Sequence, residues 1–151
     1  MKIVIQRVLD ASVSVEGECV GAIEHGLVLL VGLEEGDSEK DLEVASLKIS
    51  KLRIFDDEDG IMNKSVLDVG GSILSISQFT LAADLRKGNR PSYIQALKPE
   101  CANEYYEKFN ESLRKCGLSV ETGIFQAHMN VVLNNDGPVT LIMNVKDGKV
   151  S

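Results

Sequence analysis

Leu27-Val28-Leu29-Leu30-Val31, continued by Gly32-Leu33, is the longest apolar run in the chain. It lacks the alternation of a half-exposed strand and is far too short to span a membrane. It reads as a strand covered on both faces, so the rest of the chain must supply two layers around it. Upstream, Ile3 and Ile5 fall on one side of an extended segment and Val4 and Gln6 on the other. Val8 and Ser12 to Val15 continue in β-prone residues, Glu16-Gly17-Glu18 is a hairpin turn, and Cys19 to Ile23 returns. His25-Gly26 turns into the central run.

Downstream, Asp37 or Ser38 is placed to cap a helix running to about Leu52. Leu42, Ala45, Ile49 and Leu52 recur at helical spacing and form one apolar face. Arg53-Ile54-Phe55 leaves the helix, and Asp56 to Gly60 is a solvated acidic turn without calcium-loop spacing. Ser72 to Leu81 is predicted as a strand, and Asp84 to Pro91 as a polar, basic loop. Pro99 suits the first turn of a second helix, with Ala102, Tyr105, Tyr106, Phe109, Leu113 and Cys116 on its face and Gly117 as its stop. From Leu118 to Val145 the chain is strand-rich, with a sharp interruption at Asn134-Asn135-Asp136-Gly137-Pro138. The helices segregate from the strands. That predicts an α+β fold: a mixed, mostly antiparallel, barrel-like sheet with two packed helices, in one domain spanning residues 1–151.

Composition narrows the function classes. Hydrophobic residues make up 44% and charged residues 26%, ordinary values for a globular protein. Cys19, Cys101 and Cys116 are odd in number and show neither disulfide nor zinc spacing, and His25 and His128 have no neighbouring cysteine. No metal or cofactor is expected, and the compartment reads as reducing and cytoplasmic. The segment from Met1 has a strand pattern rather than that of a signal peptide, and no membrane partner is expected. A net charge of -7 argues against a protein that wraps nucleic acid, but not against one that grips a single RNA end.

Three segments carry chemistry. Ser77-Gln78-Phe79-Thr80 offers two hydroxyls, an amide and backbone N–H groups, which are the parts for binding an ester and stabilising an oxyanion. Strand alternation would put Ser75, Ser77 and Phe79 on one face, with Ile76, Gln78 and Thr80 on the other. Equally, Ser and Thr are ordinary strand residues. No Gly-x-Ser-x-Gly elbow is present, and neither histidine lies in a triad context. Asn135-Asp136-Gly137-Pro138-Val139-Thr140 is a turn between two strands, with a proline whose isomer the sequence does not reveal. Arg86-Lys87-Gly88-Asn89-Arg90-Pro91 concentrates three cations, either as a solvated loop or as a seat for RNA phosphates. Arg7, inside the first strand, either faces solvent or makes a specific polar contact.

In this order, these segments resemble the D-aminoacyl-tRNA deacylase family of the D-Tyr-tRNA deacylase type. The likeness covers essentially the whole chain. It runs from Gln6-Arg7-Val8 and Ala11-Ser12-Val13 through Leu52-Arg53-Ile54-Phe55 and Leu67-Asp68-Val69-Gly70-Gly71. It continues through Ser77 to Leu81, Arg86 to Ser92 and Asn135 to Thr140.

The resemblance implies a homodimer with two sites at the subunit interface. It implies hydrolysis of the ester joining a D-amino acid, or glycine, to the 3′ end of tRNA. It implies a cis Gly137-Pro138 pair that enters the partner's pocket and rejects L-substrates by collision, with Arg7 holding that loop. Ser77, Gln78, Phe79 and Thr80 would form the catalytic wall. Phe125 and Met129 would support the substrate, and Arg86, Lys87 and Arg90 would meet tRNA.

Two positions depart from the family pattern. Gln126 stands where glycine is usual, and Leu85 where threonine is common. The rival readings are a small-molecule D-amino acid esterase or peptidase and a non-catalytic RNA-binding dimer.

Overall fold

In the computed structural model, which describes residues 1–151, the apolar run forms β3 (Gly26–Gly32) in the middle of the main sheet. Leu27, Val28 and Leu29 are all completely buried. Leu27, Leu29 and Val31 enter the larger core, while Val28 enters a second one with Leu30 packed against it. A strand with apolar side chains on both faces demands two covering layers, and both are present.

The first layer is helical. α1 (Glu39–Lys51) and α2 (Pro99–Lys115) bring Leu42, Ala45, Ile49, Tyr106, Phe109 and Leu113 against Ile3, Ile5, Leu27 and Leu29. Ser38 is the N-cap of α1, and Gly117 ends the α2 region at a φ of +95. Buried Asp41 accepts the Ser38 N–H at 2.9 Å and the Gly148 N–H at 2.7 Å, tying the start of α1 to the last hairpin.

The second layer is the sheet's own curl. β1 (Lys2–Val15) folds Val8, Ala11 and Val13 over Val28, Leu74 and Ile76, joined by Ile23 from β2 (Glu18–Ile23). Register shifts near Val8 and Val13 produce the bend, as bulges do. The result is a half-barrel.

Pairing is mixed, as predicted. β1 runs antiparallel to β2, β3 and β8 (Asn130–Lys146). β6 (Ser72–Ser77) is parallel to β3 and to β7 (Val120–Thr122). The parallel β3–β6 step needs a crossover, and α1 lies within it. A small hairpin, β4 (Phe55–Asp56) with β5 (Met62–Lys64), follows α1, and β9 (Lys149–Val150) closes on β8. No helix is long and apolar enough to cross a membrane.

Two boundaries differ from the sequence reading, both at candidate site segments. The strand predicted over Ser72 to Leu81 stops at Ser77, and Phe79–Ala82 forms a 3-10 turn. The Gln78 N–H makes the last bond to β3, 2.7 Å from the Val31 carbonyl. The chain then turns over Gly32, where an added Cβ would lie 2.8 Å from Leu81 Cβ. Strand alternation therefore does not place Phe79 and Thr80.

The second difference lies at the predicted interruption, Asn134 to Pro138, which is a bulge inside the continuous strand β8. Thr140 pairs with Gln6 and Asn135 with Val8, so five residues of β8 span two of β1 and three are extruded.

Candidate active site

The extruded residues are centred on Gly137 and Pro138, which stand exposed and are joined by a cis peptide bond. Asn135 closes the base of this loop. Its Oδ1 accepts the Val139 N–H at 3.0 Å, and its Nδ2 donates to Thr140 Oγ1 at 3.2 Å. Gln6 Nε2 donates to the same Thr140 oxygen at 3.3 Å. Polar side chains thus replace the ladder bonds that the bulge gives up.

Arg7 holds the loop from behind. It is only 6% exposed, so its charge must be matched. Nε donates to the Asp136 carbonyl at 3.2 Å and lies 3.2 Å from Asp136 Oδ2. Nη1 donates to the Ile54 carbonyl at 2.8 Å and pairs with Asp56 at 3.3 Å. A planar guanidinium can serve diverging acceptors at once, which an ammonium cannot. Gly137 has a φ of +127, and an added Cβ would lie 2.8 Å from Val139 Cγ2 and 3.1 Å from Arg7 Nη2. The loop is therefore tightly fitted where it meets its anchor.

The sequence reading named Arg7 but missed its partners. The sequence places Asp56 in a solvated acidic turn, and the carbonyls of Ile54 and Asp136 carry no side-chain signal. An arginine inside a strand is the one sequence signal here, and it leaves open whether the side chain faces solvent or makes a specific polar contact.

The Ser77 to Thr80 segment lies elsewhere. Ser77 and Gln78 are half-buried, whereas Phe79 and Thr80 are exposed. Gln78 Nε2 donates to Thr80 Oγ1 at 3.1 Å, the side-chain bond that Thr80 makes. The Leu81 N–H bonds back to the Gln78 carbonyl, but the first N–H groups of such a turn have no acceptor within it, and here these are Phe79 and Thr80. Two adjacent N–H donors beside a hydroxyl suit a developing oxyanion.

No side-chain hydrogen bond or ion pair joins the two segments within one chain. The turn is tied to the start of β1, with Lys2 Nζ 3.4 Å from the Leu81 carbonyl, whereas the loop is tied to Arg7. The anchors Lys2 and Arg7 lie five steps apart along the strand, roughly 17 Å at the usual rise. Across that interval runs a partly exposed apolar row on the sheet: Ile142, 68% exposed, pairs with Val4, which pairs with Leu30.

The remaining predicted residues are scattered. Phe125 is half-buried against the larger core, its ring 6.2 Å from Tyr106, and Met129 packs on the second core. Between them Gln126 has a φ of +65, in the left-handed region that favours glycine, so its side chain sits on a strained backbone. Gln126→Gly is expected to raise stability by about 0.5–1 kcal/mol, read as a shift of a few degrees in Tm; a drop would show that the side chain compensates.

Arg86, Lys87 and Arg90 are exposed on a loop closed by the Asp84–Ser92 bridge. Arg86 is already paired with Asp84 at 2.6 Å, and this guanidinium holds the Asp84 carboxyl at about 2. Lys87 and Arg90 keep their charges unpaired. His25 and His128 are exposed; His25 lies edge-on to Phe55.

Known proteins place this architecture. The family model described as D-Tyr-tRNA(Tyr) deacylase matches residues 4–144. A D-aminoacyl-tRNA deacylase of Halalkalibacterium halodurans is 59% identical over 146 residues, covering 97% of this chain and 100% of the relative. That of Anoxybacillus flavithermus is 58% identical over 146 residues, with the same coverage. Among solved structures, a c-Myc DNA unwinding element binding protein superposes with a TM-score of 0.89 at 44% identity, covering 95% of this chain and 98% of its own. A probable eukaryotic D-amino acid tRNA deacylase superposes at 0.81 with 15% identity, over 93% and 97% of the two chains, a likeness of fold alone. By the family model and by these relatives, the chain belongs to the D-Tyr-tRNA(Tyr) deacylase family.

Proposed function

We propose that this protein hydrolyses the ester joining a D-amino acid, or glycine, to the 3′ end of tRNA, acting as a homodimer whose two sites each combine the turn of one protomer with the loop of the other. The observation that carries the shared site is the separation of its walls. Turn and loop sit at different ends of the same strand interval, so a pocket with both walls needs a second copy. A two-fold axis through the apolar row of Ile142, Val4 and Leu30 would bury that row and bring each turn to the opposite loop, forming two equivalent sites. The expected solution mass is twice the 16.4 kDa of the chain. A monomeric mass at working concentration would sink this arrangement.

Water attacks the ester carbonyl, the tetrahedral oxyanion is held by the N–H groups of Phe79 and Thr80, and the 3′-hydroxyl leaves with a proton. The vicinal 2′-hydroxyl of the terminal ribose lies beside the reacting carbonyl and helps at no cost to the protein. Thr80 positions the substrate or the water. Its hydroxyl is bonded to an amide N–H, which cannot remove its proton, and a hydroxyl nucleophile needs a base. Thr80→Ala is therefore expected to lower kcat by only about 3- to 10-fold, the range of one hydrogen bond. Abolished chemistry with binding intact, together with an acyl-enzyme trapped in the parent, would make Thr80 the nucleophile.

Gly137 and Pro138, presented to the partner's pocket, would select the hand at the α-carbon. A fixed backbone wall rejects an L side chain by collision and leaves a D side chain free to point outward. Glycine has no side chain to collide and is hydrolysed as well. A D-amino acid ester esterase would cleave free esters as efficiently as aminoacyl-tRNA, and a non-catalytic RNA-binding dimer would cleave neither. The three free cysteines fit a reducing, cytoplasmic setting, where aminoacyl-tRNA is made.

A further inference from the structure

Beside the turn lies an aromatic surface whose rings have no part in the arrangement above. The Phe79 and Tyr93 rings meet edge to face, with centroids 5.1 Å apart and an interplanar angle of 67°. In a core such a pair would be covered, but Phe79 is 58% and Tyr93 39% exposed, and the adjoining Ile94 is 83% exposed. An edge-to-face pair occupies at most one ring face, so a flat aromatic surface stays open.

Its position is fixed. Phe79 opens the turn that carries Thr80, and Tyr93 directly follows the Asp84–Ser92 bridge closing the basic loop. The bridge is made of two backbone bonds, at 2.8 and 3.0 Å. The unpaired cations of Lys87 and Arg90 rise from that loop, within a protein of net charge -7. An open aromatic face flanked by local positive charge, and continuous with an ester site, matches unpaired nucleic acid: bases stack on the rings and phosphates meet the cations.

We infer that Tyr93, with Phe79, is a stacking ledge for the unpaired nucleotide immediately 5′ of the esterified adenosine, and that Lys87 and Arg90 hold the phosphates of the same strand. The inference rests on the deacylase reading and adds a positioning residue to it. Such a ledge is indifferent to base identity because every base has a π-face. It holds the strand so that its end reaches Thr80, and it explains how an acidic protein grips RNA at one point.

The test compares two D-tyrosyl esters on the intact protein, one of full tRNA and one of adenosine alone. For Tyr93→Leu, the rise in KM on the tRNA ester is expected to exceed that on the adenosine ester by about tenfold, within the range of one lost base–aromatic stack. Tyr93→Phe should restore the tRNA value to within about twofold, since the ring and not the hydroxyl does the stacking. A substrate-side arm needs no protein variant: tRNA with an abasic site at the penultimate position should raise the KM of the unmodified protein by about the same tenfold.

Equal losses on both esters, a changed solution mass for Tyr93→Leu, or indifference to the abasic site would each overturn the ledge. A mass change would mean that a second copy covers these rings. Failure of the unmodified protein to cleave either ester would instead remove the deacylase reading, and the ledge with it.

Discussion

A mixture of two inactive variants should regain about a quarter of the unmodified activity. The first variant is Gly137→Ala. An added Cβ would lie 2.8 Å from Val139 and 3.1 Å from Arg7, at a φ of +127 that L residues rarely adopt. The loop must move, and an ångström of displacement at a reacting centre costs on the order of 100-fold in rate. The second variant is Phe79→Pro, which deletes one backbone N–H of the proposed oxyanion site. Proline suits the first position of a helical turn, and Gln78 before it, at φ -141 and ψ 89, lies outside the α region that proline disfavours in its predecessor. Losing one such donor costs about 100- to 1,000-fold.

Co-refolded at equal amounts, about half of the dimers are mixed. If each site takes its turn from one protomer and its loop from the other, a mixed dimer has one site with both walls intact and one with both damaged. That gives about one quarter of the full activity. If turn and loop of the same chain formed the site, no mixed dimer would contain an intact one, and activity would stay near the variants' own level. The two arrangements therefore differ by more than tenfold in one measurement.

Arg7→Leu should lower stability by about 2–4 kcal/mol, seen as a lower urea midpoint, and cost at least tenfold in kcat/KM. Removal strands the carbonyls of Ile54 and Asp136, which Arg7 joins across 47 and 129 residues of sequence. Its two carboxylate partners are partly exposed, Asp56 at 52% and Asp136 at 32%, so water relieves them and the loss stays below that of a fully buried pair. Arg7→Lys should recover only part of both effects, because one ammonium cannot reach the Asp136 carbonyl, the Ile54 carbonyl and Asp56 together. A loss below about 1 kcal/mol with normal activity would show that the loop keeps its position without this anchor.

Much of the fold was legible from local pattern. The run from Leu27 to Leu33 already implied a strand with two covered faces, and β3 has them. The steps from Leu42 to Leu52, and Pro99 with Gly117, marked both helices, because helical spacing and caps are properties of neighbouring residues. The Asp-Gly-Pro signal marks where the pairing is interrupted, although the structure makes it a bulge inside one strand and not a turn between two. These features depend on backbone preferences and on side chains a few positions apart, which the sequence alone determines.

Tertiary structure decided the rest. Ser72 to Leu81 reads as one strand, yet the chain leaves the sheet after Gln78 because Gly32, distant in sequence, leaves room for a turn. Arg7 inside a strand leaves solvent exposure and a specific polar contact equally open, since Asp56 becomes its partner only when the chain after α1 folds back to it. The separation of the Thr80 turn from the Gly137 loop follows from register along β1, which no short motif records. Local sequence fixes which residues want to be buried, turned or extended. Which of them meet is set by long-range pairing, and here that pairing sets the Thr80 turn and the Gly137 loop at separate positions along β1.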